Sequence, residues 1–232
     1  RIWINGREVG SHDGGYTTFE FRVDDYLNYG GENTIAIQVN NEFSYGAWWK
    51  WGGISGDALL RVNNASKLEW QHIVSEPNLE NGTADITFQY KINNQADTDR
   101  TYTVVSDVYD RATGELVGTQ TTEVTVKPTG QAADQRFDSA VLNLENVKLW
   151  HFETPNLYTV KTRLMDGDTI LHYAEDDIGI RKIEIKDTKF YLNGEAVRLT
   201  GANRVWDDRA NGQTEPDYVI MRDIDYMKSM GM

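Results

Sequence analysis

Residues 178–204 read IGIRKIEIKDTKFYLNGEAVRLTGANR. Ile183 and Ile185 alternate with charged residues, which predicts a short strand. Phe190-Tyr191-Leu192 leads into Asn193-Gly194, a dipeptide whose two residues accept the positive φ angles of a tight hairpin turn. Val197 to Thr200 then forms the return strand. Immediately downstream the period changes. Val219, Ile220, Ile224, Met227 and Met230 recur at helical spacing, and Pro216 stands where a first helical turn begins. A strand, a loop and a helix at the end of a chain that is otherwise strand-like predict one unit of a different, βα-type domain.

Upstream of this stretch everything reads as β. Ile2 and Ile4 run into a first Asn5-Gly6 hairpin signal, with Val9 on the return. Thr18 to Val23 and Thr34 to Val39 alternate, and Ala58 to Val62 is a short apolar run. Between residues 66 and about 180 the strands are richer in Thr, Val, Ile and Tyr: Leu68–Val74, Ala84–Ile92, Thr101–Tyr109, Thr119–Val126, Ser139–Leu144, Tyr158–Met165 and Thr169–Ala174. Turn clusters such as Glu80-Asn81-Gly82 and Thr113-Gly114 separate them, and Pro128 to Asp134 is a loop. This spacing predicts a two-sheet, immunoglobulin-like sandwich. The predicted boundaries are 1–65, 66–181 and 182–232.

Bulk properties narrow the function. The chain has 232 residues, a formal net charge of −13 and no cysteine. Thiolate metal sites and disulfides are excluded, and nucleic acid and anionic membrane surfaces are disfavoured as partners by like charge. No apolar run is long enough to span a bilayer. The opening on a strand pattern at Arg1 and the close on Met230-Gly231-Met232 read as a segment of a longer protein, so a leader is not visible and a periplasmic or extracellular location stays open. An interrupted sheet edge invites pairing, which leaves room for a homo-oligomer.

Candidate sites are few. Gly14-Gly15-Tyr16 is read first as a tight turn. Trp48, Trp49 and Trp51 are suited either to stacking on the apolar face of a sugar ring or to a core. His12, His72, His151 and His172 share no ligand spacing, so no metal site is predicted and no cofactor is evident. Asp207, Asp208 and Arg209 are read first as a solvated charge cluster and second, because they follow a predicted first barrel strand, as residues facing an active site.

Taken together, several stretches resemble the family 2 glycoside hydrolases, the β-galactosidase, β-glucuronidase and β-mannosidase group. WINGREVGSHDGGYTTFEFRVDDYL (3–27) and GENTIAIQVNN (31–41) are similar to parts of that family's N-terminal sugar-binding jelly roll. WGGISGDALL (51–60) lies where the family carries its Gly-Ile-x-Arg motif. LWHFETPNLYTVKTRL (149–164) is similar to a late hairpin of the immunoglobulin-like domain. Residues 178–204 resemble the junction into the catalytic (β/α)₈ barrel with its first strand, and DIDYMKSMGM (223–232) the first barrel helix. The resemblance implies a mainly β fragment: a partial jelly roll, an immunoglobulin-like sandwich and the first βα unit of a TIM barrel. It implies a parent enzyme that hydrolyses terminal β-linked sugars with retention, using two glutamates about 5 Å apart on later barrel strands. On that basis the chain holds no catalytic residue and is inactive alone. Asn203, Arg204, Trp206 and Asp207 are the residues implied to lie near the sugar, as hydrogen-bonding and stacking groups. Three departures imply a divergent pocket or a different sugar. Ala47 stands where galactosidase and glucuronidase members carry an Asp, Gly53-Ile54-Ser55-Gly56 lacks the motif's Arg, and Gly201-Ala202-Asn203-Arg204-Val205 lacks its closing His. The rival reading is a non-catalytic carbohydrate-binding or interface-forming β-sandwich module, with the three tryptophans as its platform.

Overall fold

The structure is a computed structural model that describes residues 1–15, 17–41, 53–129, 131, 135–205, 209–212 and 214–232. Among the described residues, fourteen strands and one α-helix follow in chain order: β1 (Ile2–Ile4), β2 (Arg7–Gly10), β3 (Ile35–Ile37), β4 (Ser66–Asn78), β5 (Thr83–Asn94), β6 (Arg100–Asp110), β7 (Leu116–Val126), β8 (Arg136–Asp138), β9 (Leu142–Leu144), β10 (Tyr158–Asp166), β11 (Thr169–Ile178), β12 (Ile183–Lys186), β13 (Lys189–Leu192), β14 (Glu195–Val197) and α1 (Asp217–Ser229). The protein is therefore mainly β. The chain divides into two compact units, residues 1–59 with 203–232, and residues 60–202.

In the first unit β1 pairs with both β2 and β3, all antiparallel, in the order β2-β1-β3. The expected turn is present: Asn5 at φ 52° and Gly6 at φ 78° join Ile4 to Arg7. Asn5 also works beyond its own turn. Its Nδ2 donates to the Tyr26 carbonyl and to Asn33 Oδ1, and its Oδ1 accepts from the Thr34 N–H. The strand expected over Thr18–Val23 is absent, because among the described residues no neighbour supplies a ladder. Phe21 instead lies on Gly10, where a Cβ would come within 2.5 Å of its ring, and a 3₁₀ turn follows at Asp24–Tyr26. The run Ala58–Val62 likewise forms no strand, and Leu59, Leu60 and Val62 are exposed. Helix α1 begins after Pro216, which serves as its N-cap residue, and buries only Val219 of its apolar residues.

In the second unit two four-stranded antiparallel sheets, β4-β5-β8 with β9 alongside β5, and β11-β10-β6-β7, share one hydrophobic core. Alternation explains it: Ala84, Ile86, Phe88, Tyr90 and Ile92 of β5 all point inward, facing Val104 and Val108 of β6 and Val160 and Leu164 of β10. The core also holds a chain of hydroxyls. Tyr90 bonds Ser106 at 2.9 Å and Ser106 bonds Thr162 at 2.7 Å, so three fully buried residues on β5, β6 and β10 connect one sheet to the other. Burial pushes the Tyr90 hydroxyl up to about 12, against the opposing Ser106 hydrogen bond. At one end Asn94, wholly buried, donates to the carbonyls of Thr98 and Val126 and accepts from the Ala96 N–H.

The stretch 178–204 folds as the three strands that the reading predicts, except that the return strand spans Glu195–Val197 and not Val197–Thr200. β12, β13 and β14 form an antiparallel meander, with Asn193 (φ 51°) and Gly194 (φ 84°) turning β13 into β14. The β12–β13 turn is Asp187-Thr188, both at positive φ (46° and 63°), a conformation that costs a β-branched residue more than glycine. Asn193 pins the meander to the sandwich: its Nδ2 donates to the Trp150 carbonyl and its Oδ1 accepts from the Lys182 N–H. Gly179 faces the Trp150 side chain, where an added Cβ would sit 3.0 Å from it.

Candidate functional site

Of the four residues singled out near a sugar, the structure describes Asn203 and Arg204. Trp206 and Asp207 lie outside the described residues, as do Asp208, Trp48, Trp49, Trp51, Ala47 and Tyr16. Asn203 is exposed. Arg204 is the centre of an ion-pair network inside the first unit. Its Nη1 and Nη2 donate to Glu215 Oε2 and Oε1 at 2.7 and 2.9 Å, a bidentate fork. Its Nε donates to Asp223 Oδ2 at 2.9 Å, and Nη2 lies 2.7 Å from the same oxygen. Asp223 Oδ1 in turn accepts from Arg222 Nε and Nη2. The Glu215 side chain is only 2% exposed.

The electrostatics follow from the geometry. Glu215 first, and Asp223 second, raise the Arg204 guanidinium above its ordinary range. Arg204 and then Arg222 hold the Asp223 carboxylate below its usual value. Arg204 is therefore a permanent cation with most of its N–H groups committed to two carboxylates. Chemically it can orient and hold, but it cannot exchange a proton near neutral pH. Residues 204 and 215 are tied together. Sequence reading finds Arg204 but not Glu215 and Asp223. Acids eleven and nineteen positions downstream carry no periodic signal; only the position of Glu215, just before the helix-opening Pro216, marks it.

The remaining candidates are dispersed. His12 Nε2 hydrogen-bonds Thr17 Oγ1 at 2.8 Å and its ring stacks on Phe19. His172 is shifted down by burial and by Lys67. His151 Nε2 lies 3.9 Å from Glu195. Among the described residues no group of three or more His, Asp or Glu side chains is placed to hold a metal ion. At one end of the sandwich a cleft of about 210 Å³ lies over Asp110, Lys148 and Tyr158. Lys148 Nζ donates to Asp110 Oδ2 at 2.6 Å, holding that carboxylate low. Asp110 Oδ1 is already engaged by the N–H groups of Ala112 and Thr113. No described helix is long and apolar enough to cross a membrane.

This arrangement of short sheet, sandwich and meander matches the fold of solved glycosyl hydrolases. A family 2 member from Bacteroides cellulosilyticus superposes with a TM-score of 0.89 at 26% identity, over 100% of this chain and 31% of that one. A β-glucuronidase from Bacteroides uniformis gives 0.84 at 26% identity, over 99% of this chain and 29% of that one. Residues 68–181 match the model of glycosyl hydrolases family 2, and the whole chain is similar to members of that family. A β-galactosidase from Thermoanaerobacter pseudethanolicus is 29% identical over 98% of this chain and 31% of its own length. A putative β-glucuronidase from Formosa agariphila is 26% identical over 99% of this chain and 27% of its own. The chain thus spans about a third or less of the length of the relatives it matches.

Proposed function

We propose that this chain is the non-catalytic front of a retaining exo-β-glycosidase that removes terminal β-linked sugars. Residues 1–65 belong to a sugar-binding-type jelly roll, 66–181 to an immunoglobulin-like sandwich, and 182–232 to the start of a (β/α)₈ barrel whose later strands supply the two catalytic glutamates. The observation that carries this reading is the end-to-end likeness, in one order, to β-galactosidases and β-glucuronidases. In this reading Asn203, Trp206 and Asp207 approach the terminal sugar, and Arg204 holds their segment to α1 through Glu215 and Asp223. Residues just past the carboxyl end of a barrel strand are where such contacts arise.

The test is direct. The chain alone, incubated with nitrophenyl β-galactoside and β-glucuronide, releases no nitrophenol. The same chain extended through a complete barrel releases it, and proton NMR of the first product shows the β-anomer. Turnover by the 232-residue chain, or an α-anomer as first product, refutes the reading.

A further inference from the structure

A second feature lies on the outer face of the sandwich. Inward-facing positions on β4 begin Ser66, Leu68, and simple alternation would put Trp70 in the core next. It does not go there. A β-bulge at Glu69 shifts the register, so that Leu68 opposes Ile92 while Trp70 opposes Lys91, and Trp70 turns outward with 40% of its surface exposed. Bulges interrupt the ladder and characteristically re-aim one side chain. This one is held in place by Asn93, whose Oδ1 accepts from the Lys67 N–H and whose Nδ2 donates to the Glu69 carboxylate.

The re-aimed indole is the end of a row. Trp70, Lys91 and Arg136 are directly opposite one another across β4, β5 and β8. Arg136 reaches back so that its guanidinium lies 5.4 Å from the centre of the indole, and His72 lies parallel to the indole at 5.7 Å. Lys91 Nζ is 3.4 Å from Glu69. Glu69, Trp70, Lys91 and Arg136 line a shallow hollow of about 400 Å³. The hollow combines an exposed aromatic plate with one carboxylate and two cations. An apolar ligand would leave those charges without hydration, and a polyanion would meet Glu69 on a chain of net charge −13. A pyranose fits both halves: its C–H face rests on the indole, and its hydroxyls donate to Glu69 and accept from Lys91 and Arg136.

We propose that this hollow binds a neutral pyranose unit of a glycan chain, as a non-catalytic site independent of any hydrolytic activity. The test is native affinity electrophoresis of the chain in gels containing β-1,4-galactan, hydroxyethylcellulose, dextran or heparin. Retardation by at least one neutral polysaccharide is expected. Trp70→Ala should weaken it about tenfold or more and Trp70→Phe less, in keeping with loss of an aromatic contact. Because Trp70 points outward, the unfolding midpoint of both variants should stay near that of the unaltered chain, which separates lost binding from lost folding. Three results overturn the proposal: no retardation by any neutral polysaccharide, equal retardation of the unaltered chain and Trp70→Ala, or retardation by heparin alone. None of these bears on nitrophenyl glycoside hydrolysis, which is read separately.

Discussion

Ser106 is the middle member of the Tyr90–Ser106–Thr162 hydroxyl chain, and its removal is the sharpest test of how the sandwich is held. All three residues are wholly buried. Ser106→Ala deletes one small group but strands two others, the Tyr90 and Thr162 hydroxyls. Each buried unsatisfied hydroxyl costs about 1–3 kcal/mol, so the variant should lose about 2–4 kcal/mol. Tyr90→Phe removes an end of the chain and leaves the Ser106–Thr162 bond intact, which should cost only about 1 kcal/mol. Replacing all three together (Tyr90→Phe, Ser106→Ala, Thr162→Val) leaves nothing unsatisfied and should cost less than Ser106→Ala alone. Urea unfolding measures this as a shift in midpoint at constant slope. The reasoning fails if Ser106→Ala costs no more than Tyr90→Phe, or if the triple variant costs the sum of its parts. A pH arm uses the same residue. The folded-state Tyr90 value, about 12, lies above the ordinary unfolded value near 10, so the folded state holds the proton more tightly. That contribution, about 2–3 kcal/mol, is complete below about pH 10 and is lost as pH rises through 12. Tyr90→Phe should lack this alkaline loss. Tyr173, also raised to about 12, is common to both proteins and cancels in the comparison.

Three further outcomes are expected. Asn94→Leu should destabilise the chain by about 2–4 kcal/mol, since the carbonyls of Thr98 and Val126 lose their donor; thermal melts will show it. Gly118→Ala should cost about 1–3 kcal/mol, because the new Cβ falls 2.6 Å from Leu144 Cδ2 and 3.1 Å from Leu142 Cδ2; the loss should be partly recovered by Leu142→Val. Exchanging Asp187-Thr188 for Asn-Gly, the pair already used at 193–194, should stabilise the meander by about 1 kcal/mol by relieving positive φ at Thr188, read as slower hydrogen exchange of β12 and β13.

Local chemistry made much of the fold readable. The Asn-Gly hairpin turns at 5–6 and 193–194 are present, and β5, β6 and β10 show the alternation that their burial follows. Long-range pairing was the part that sequence could not carry. Thr18–Val23 alternates as well as β3 does, yet only β3 finds β1 as a partner. β4 runs on to Asn78 through Pro77, which an edge strand tolerates because its outer N–H positions need no partner. The bulge at Glu69 leaves no trace in composition, and only the register shows that Trp70 faces outward. The candidate site divides the same way. Arg204 is visible as part of a motif, whereas its fixation by Glu215 and Asp223 depends on where α1 returns.

Two of the four Asn-Gly pairs in the sequence, the hairpin turns at 5–6 and 193–194, also bear on how the protein ages. An Asn followed by Gly is prone to lose its side-chain amide, because the small glycine lets its own backbone nitrogen attack the Asn carbonyl carbon and expel ammonia. Asn5 and Asn193 both spend the amide nitrogen on a carbonyl elsewhere, Tyr26 for one and Trp150 for the other. Conversion to a carboxylate would place oxygen against oxygen at both contacts and add negative charge to a chain already at −13. The same hydrogen bonds keep the amide from swinging onto the glycine nitrogen. These two intact turns should therefore resist the reaction, and partly unfolded protein should show it at Asn5 and Asn193 as well as at Asn81 and Asn211, which also precede glycine, as acidic isoforms resolved by peptide mapping.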